Sequence, residues 1–315
     1  MITDDIELAV QTLTNGDLLA FPTETVYGLG ARADSASAVN KIFESKERPS
    51  DHPLISHCAT KEKAFSAVKE IPEYAHVLAD AFWPGPMTLI LKSNEDGQIA
   101  KATRGGHSSV AIRVPQHKLA LELLFKCNFF VAAPSANKFG RVSPTKPEHV
   151  QSEFKDILIL DGEQSQCGLE STIISCLGDK PEILREGFIS KEEIESLGIE
   201  VQESQNKVAA PGTLEKHYMP SVPVITVASI SDISDSKDSS LIALINSESE
   251  VTSDFKLMSL HKTMEDFAYE LYSFFRESEL ANVKNIYVVR PPMEGVGAAI
   301  NDRVTKAASS GVSND

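Results

Sequence analysis

The chain has 315 residues, 42% of them hydrophobic and 24% charged, which is the composition of a globular protein long enough for two domains. Its formal charge of −15 argues against tight binding of nucleic acid, which needs a basic surface, yet it permits a small anion in a local basic pocket. No apolar run reaches the roughly 20 residues that span a bilayer, and "MITDDIELAV" lacks the basic start and apolar stretch of a signal peptide.

Cys58, Cys127, Cys167 and Cys176 form no C-x-x-C pair, so free thiols in a cytoplasmic protein are expected, with neither disulfides nor a zinc site.

In chain order, short β-type runs alternate with helical patterns. Strands are predicted at 18–22, 54–58, 87–92, 110–115, 129–134, 157–161, 171–175 and 182–186. Helices are predicted at 4–15, 35–45, 60–69, 71–82, 116–127, 146–154 and 190–197. This alternation implies an α/β domain, and the short turns between several strands imply a mixed sheet. Residues 1–200 form this unit. A Pro-rich stretch without periodicity, 201–221, reads as a linker. A small Rossmann-like α/β unit then covers 222–315, with strands at 222–227, 241–245 and 286–290 and helices at 263–277 and 295–309. It lacks G-x-G-x-x-G after its first strand.

Several segments carry chemistry-bearing residues. "FPTETVYGLG" (21–30) leaves a strand with Thr23, Thr25 and Tyr27 hydroxyls and two glycines; a strand-to-helix turn with capping threonines is the plain reading. "SKERPSDHPL" (45–54) sets Lys46 and Arg48 two apart in a proline-broken segment. Helix-face pairs sit three or four apart, so this spacing reads either as solvated charges or as a bend aiming two cations at one anion. His57 follows on a buried-looking strand, where a satisfied core role is also open. Arg113 alternates with apolar neighbours in "VAIRVP", so it is either salt-bridged or lines a polar cavity. "VAAPSANKFGRVSPT" (131–145) stops a strand at Pro134 and places Ser135 and Asn137 beyond it, as a turn or as ligand contacts. "CGLESTIIS", "EILREG" and "APGTLEKHYMP" add Ser171, Thr172, Arg185, Lys216, His217 and Tyr218. P-loop, G-x-S-x-G and H-E-x-x-H signatures are absent from the sequence. The remaining Lys/Arg residues, hydroxyls and glycines at strand ends suit a nucleoside triphosphate and a small carboxylate, with catalysis by positioning and charge neutralisation.

Together these motifs, with "WPGPMTLIL" and the C-terminal "EGVGAAINDRVTKAA" (294–308), closely resemble the long, two-domain form of L-threonylcarbamoyladenylate synthase, which pairs a YrdC-type domain with a small C-terminal domain. The resemblance implies a nucleotidyltransferase that condenses L-threonine, bicarbonate and ATP to threonylcarbamoyl-AMP and pyrophosphate. The product feeds N6-threonylcarbamoyladenosine formation at tRNA position 37 through a downstream threonylcarbamoyltransferase. By the same matching, Lys46, Arg48, Ser135 and Asn137 are the catalytic set that holds the triphosphate. Arg48, His52, Ser109, Ser135, Ser143, Arg185 and Tyr218 contact ATP, Tyr218 closing over it from the linker. Thr25, His57, Arg113, the Ala133 backbone and Ser171 bind threonine. Mg²⁺ is expected with ATP, without a protein cage.

Two positions depart from the family pattern: His52 stands where Asn is common, and Cys176 where an acidic residue is. A hydrogenase-maturation carbamoyltransferase shares the YrdC-like domain, but its acylphosphatase-like and zinc-finger segments are not seen in the sequence. An RNA-binding module and a catalytically inactive threonine or ATP sensor are the readings from other classes.

Overall fold

The computed structural model describes residues 1–203, 217–245 and 254–308. Residues 204–216, which hold most of the expected linker and Lys216, lie outside the described residues.

The first unit opens with β1 (Ile2–Thr3), α1 (Ile6–Thr14), β2 (Leu19–Phe21), β3 (Gly28–Arg32), α2 (Ala36–Lys46) and β4 (Ile55–His57). It continues with α3 (Lys61–Ser66), β5 (Val68–Lys69), α4 (Glu73–Phe82), β6 (Met87–Ser93), β7 (Ser109–Arg113) and α5 (Lys118–Cys127). It ends with β8 (Val131–Ala132), α6 (Pro147–Glu153), β9 (Leu158–Leu160), β10 (Thr172–Ser175), β11 (Glu182–Arg185), α7 (Lys191–Glu195) and β12 (Gln202–Glu203). The second unit has β13 (Val224–Val227), β14 (Ser240–Leu244), β15 (Leu257–His261), α8 (Met264–Leu280), β16 (Ile286–Val289) and α9 (Gly297–Ala308).

In the first unit one mixed sheet runs β1-β9-β2-β3-β8-β4-β7-β6-β10-β11-β12, with β5 beside β6. Its central pairings alternate in sense: β4 is parallel to β7 and antiparallel to β8. Burial of Ala9, Leu13, Leu123 and Leu124 seals α1 and α5 against Leu19, Phe21 and Val131. The larger core sets Val39, Ile42 and Phe43 of α2 and Leu78 of α4 against Leu29, Leu89 and Ile112. Side chains fix where several helices begin: Asp5 accepts the Leu8 amide, Ser35 that of Ala38, and Ser190 forms a reciprocal capping box with Glu193.

The second unit is a parallel sheet, β13-β16-β14-β15, as a Rossmann-like unit requires. Phe267, Leu271, Phe275, Ile300 and Val304 of α8 and α9 pack on it, and the same cluster takes in Val26, Val142 and Leu169 of the first unit. The two units therefore share a core.

Some elements differ from the expectation. Residues 60–69 are not one helix: α3 ends at Ser66 and β5 follows. The stretch after β2 turns back into β3 rather than into a helix, with Leu19 opposite Gly30 and Phe21 opposite Gly28. Thr23 makes that turn, its Oγ1 accepting the Thr25 and Val26 amides and donating to Val26 O. The glycine at 30 is needed for close approach, because a Cβ there would meet Phe21 Cε1 at 2.9 Å. β15 was not anticipated; its residues are half-buried or exposed, as suits the edge of a sheet.

Candidate active site

Strand register assembles the site. β4 and β7 run side by side with His57 opposite Arg113, and His57 is also opposite Val131 of β8. The chain leaving β8 delivers Ala133, Pro134 and Ser135, and an isolated bridge ties Ser135 to Gly28. Glu170 and Ser171 enter β10, which lies parallel to β6, and Arg185 ends β11 beside it. Arg48 arrives from α2, whose end is set by Glu47 in the left-handed conformation, φ 56°. These residues, with Thr23, Thr25, Val26, His217 and Tyr218, enclose a cavity of ≈ 50 Å³. A water molecule occupies about 30 Å³ in the liquid.

Three guanidinium groups face this space. Arg113 donates from Nε to Gly85 O at 3.2 Å and from Nη1 to Thr25 Oγ1 at 2.9 Å. Its Nη2 lies 2.8 Å from Glu24 Oε2. The Nη2 N–H groups are not aimed at that oxygen, so Nη2 keeps its hydrogen-bonding capacity. The sequence left salt bridge and carboxylate ligand open for Arg113; the fold gives it a buried partner while leaving donors for another. Arg185 donates to Ser171 O from Nε and Nη2 at 3.2 and 2.8 Å, and to Ser171 Oγ at 3.2 Å. Arg48 donates to Pro53 O at 3.3 Å, and its buried Nε has no partner among the described residues. Burial lowers the Arg48 guanidinium to about 10, so it is charged at neutral pH.

His57 is neutral: burial, then the charge of Arg113, hold it at about 3. Its Nδ1 has no partner among the described residues. Burial likewise holds His217 at about 3. His217 contacts the Tyr218 ring, centroids 4.0 Å apart. The Tyr218 hydroxyl is buried and unpartnered among the described residues, and burial raises its pKa.

All five residues of the expected threonine set (Thr25, His57, Arg113, Ala133 and Ser171) line the cavity, together with Arg48, Ser135, Arg185 and Tyr218 of the ATP set. The others stand behind or beside it. Lys46 is buried and donates to Ser135 O at 2.6 Å and to Asn137 O; burial, then Arg48, push its ammonium well below the usual lysine range. Asn137 donates to Lys138 O and Arg141 O at 2.7 and 2.9 Å. Lys46 and Asn137 thus fix the backbone that presents Ser135. Ser143 donates to Glu170 Oε1 at 2.6 Å. His52 lies against Phe139, centroids 5.9 Å apart, and Ser109 opens β7 opposite Lys92.

Sequence reasoning missed Glu170 and Glu24. Glu170 is a charge set among Leu169, Ser171 and Thr172 at a strand entrance, the kind of buried acid that must be paired. Among the described residues there is no group of three or more His, Cys, Asp or Glu able to hold a metal, and no helix is long and apolar enough to cross a membrane.

Comparison with known proteins gives the family. The Sua5/YciO/YrdC family model, described as telomere recombination, matches residues 11–187, and the threonylcarbamoyl-AMP synthase C-terminal domain matches 189–309. The threonylcarbamoyl-AMP synthase of Pyrococcus abyssi is 38% identical over 96% of this chain and 94% of its own. That of Bacillus subtilis is 37% identical over 96% and 92%. The crystal structure of P. abyssi Sua5 complexed with L-threonine superposes with a TM-score of 0.86 at 36% identity, over 96% of this chain and 94% of that one. With both family models matched in order and relatives aligned end to end, the chain belongs to the threonylcarbamoyl-AMP synthase family, in its long two-domain form.

Proposed function

We propose that the chain condenses L-threonine, bicarbonate and ATP into threonylcarbamoyl-AMP, pyrophosphate and water, supplying a downstream transferase that modifies tRNA adenosine 37 in the cytoplasm. The observation that carries this reading is that the threonine set and the cationic part of the ATP set meet in one cavity. P. abyssi Sua5 has been crystallised with L-threonine.

In this reading the threonine carboxylate accepts from Arg113, whose Nη1 and Nη2 retain donors beyond Thr25 and Glu24. Neutral His57 accepts from the threonine hydroxyl. The free amine combines with bicarbonate to give the carbamate, losing water. A carbamate oxygen then attacks the α-phosphorus, the bond to the β-phosphate oxygen breaks, and pyrophosphate leaves. Arg48 and Arg185 neutralise the charge that moves onto the leaving group, and Ser135, held by Lys46 and Asn137, positions the phosphates. The cavity wall carries one carboxylate among the described residues, Glu170, already engaged by Ser143, Tyr272 and Arg303. This donor set fits Mg²⁺ carried by the triphosphate rather than held by the protein; such an ion supplies further charge neutralisation. A cavity of ≈ 50 Å³ is far below the roughly 300 Å³ of a small-molecule site. His217 and Tyr218 must therefore swing out to admit ATP and return to exclude water from the adenylate.

The test is pyrophosphate release from ATP, Mg²⁺ and bicarbonate with and without L-threonine, alongside Arg48→Ala. Release that needs both threonine and bicarbonate, and collapses in the variant, is expected. Release without threonine would refute the reaction, and threonine binding with no release would make the chain a sensor.

A further inference from the structure

Glu170 is an unwelcome neighbour for a triphosphate. It lines the cavity at 6% exposure, and its charge is not removed by protonation: burial raises the carboxyl, but Arg303, Arg185 and the Ser143 hydrogen bond take it down to about 2. An anion in a water-poor wall repels phosphate over several ångström. Its directly paired counter-charge comes from the second unit. Oε2 accepts from Arg303 Nε of α9 at 2.9 Å and from the Tyr272 hydroxyl of α8 at 3.0 Å.

Arg303 is 0% exposed and is held on every side. Its Nη2 donates to Glu186 O at 2.7 Å, its Nη1 to Asp302, and its Cζ lies 5.1 Å from the centroid of the Tyr218 ring. Tyr218 in turn stacks on Tyr272, centroids 5.7 Å apart and planes 19° from parallel. One guanidinium thus touches both the acid in the wall and the aromatic ring that caps the cavity.

We infer that Arg303, supplied by the second unit, is a positioning residue for the nucleotide: it cancels the charge of Glu170 in the cavity wall and seats Tyr218 against it. The inference deepens the proposed function and rests on that reading of the cavity as an ATP site. It gives the second unit a task in the reaction: completing, from behind Glu170, the electrostatics of a cavity whose walls belong to the first unit and the chain entering the second.

The experiment measures Mg²⁺–ATP and L-threonine dissociation constants for the full chain, for Arg303→Met, Arg303→Lys and Glu170→Gln, and for the Arg303→Met/Glu170→Gln double variant. Arg303→Met is expected to weaken ATP by about 10-fold or more, the scale of one poorly screened charge contact, and to leave threonine nearly unchanged. Arg303→Lys falls between, and the double variant recovers most of the ATP loss. Glu170→Gln alone, with Arg303 intact, tightens ATP; this arm decides the matter should Arg303→Met fail to fold. An unchanged ATP constant in Arg303→Met, a double variant no better than the single, parallel loss of both ligands, or weaker ATP binding by Glu170→Gln overturns the inference. Failure of the unmodified chain to bind ATP overturns the nucleotide reading itself, and the inference with it.

Discussion

Lowering the pH should unfold this protein through its buried histidines. His57, His149 and His217 are each held at about 3, with burial the largest cause, against about 6.5 for a free imidazole. Between those values the unfolded chain binds protons that the folded chain refuses. Stability is therefore full above about pH 6.5 and falls as the pH drops. At pH 5 each histidine has removed about 2 kcal/mol relative to pH 8, together about 6 kcal/mol, with a slope near pH 5 of about 4 kcal/mol per pH unit. Against a typical total of about 5–15 kcal/mol, that loss leaves the fold marginal. Urea unfolding followed by circular dichroism at pH 5, 6, 7 and 8 measures it. His149→Gln is the informative variant, because His149 lies outside the cavity and its Nδ1 accepts the Thr145 amide at 3.2 Å, a role glutamine can fill. It should reduce the loss from about 6 to about 4 kcal/mol. A flat profile from pH 8 to 5, or a variant profile parallel to the parent's, would refute the argument that these imidazoles are held neutral by burial.

Gly168 has φ 72°, and a Cβ there would meet Ala268 O at 2.3 Å and Tyr269 Cα at 2.5 Å. Gly168→Ala should therefore push α8 away and cost about 1–3 kcal/mol, read as a lowered thermal midpoint. Arg113→Met should abolish measurable threonine binding and, by leaving Glu24 buried without its counter-charge, destabilise the chain by about 3–5 kcal/mol. Adding Glu24→Gln should restore much of the stability and none of the binding, by calorimetry and urea unfolding. All four cysteines are buried, and burial lifts the thiols of Cys58, Cys127 and Cys167 to about 12. A disulfide reagent at pH 8 should react slowly with the native protein and with four thiols in urea.

Where apolar runs were continuous, as in "MTLILK" and "VAIRVP", the strands were legible, because both faces of the central sheet are covered. β15 was not: its Leu257–His261 alternation is interrupted by polar residues tolerated at a half-exposed edge. The Thr23 turn read equally well as a helix cap, since a hydroxyl that accepts two amides serves either, and only the pairing of Phe21 with Gly28 decides between them. Residues of the site were legible where they stand at strand ends, as Ser135, Ser171 and Arg185 do. Glu170 and Arg303 were not, because their meaning lies in a contact spanning 133 positions of chain. Local pattern carries no information about such a pair.

A chain of charge −15 that gathers three arginines in one cavity must settle those charges internally, and it does so in two different ways. Arg113 is balanced by Glu24, the residue after Thr23 in the loop after β2, so the proposed threonine side of the cavity is balanced within the first unit. Arg48 and Arg185 line the other side of the cavity with Glu170 beside them, and in the proposed reaction that carboxylate would oppose the phosphates were it not bound to Arg303 of α9. In the proposed reaction, charge balance on the nucleotide side therefore draws on Arg303 of the second unit, and on the threonine side it does not. ATP and threonine, the proposed substrates, should accordingly respond differently to any change at the shared core of α8 and α9. Changes there, Gly168→Ala included, should weaken ATP before they weaken threonine.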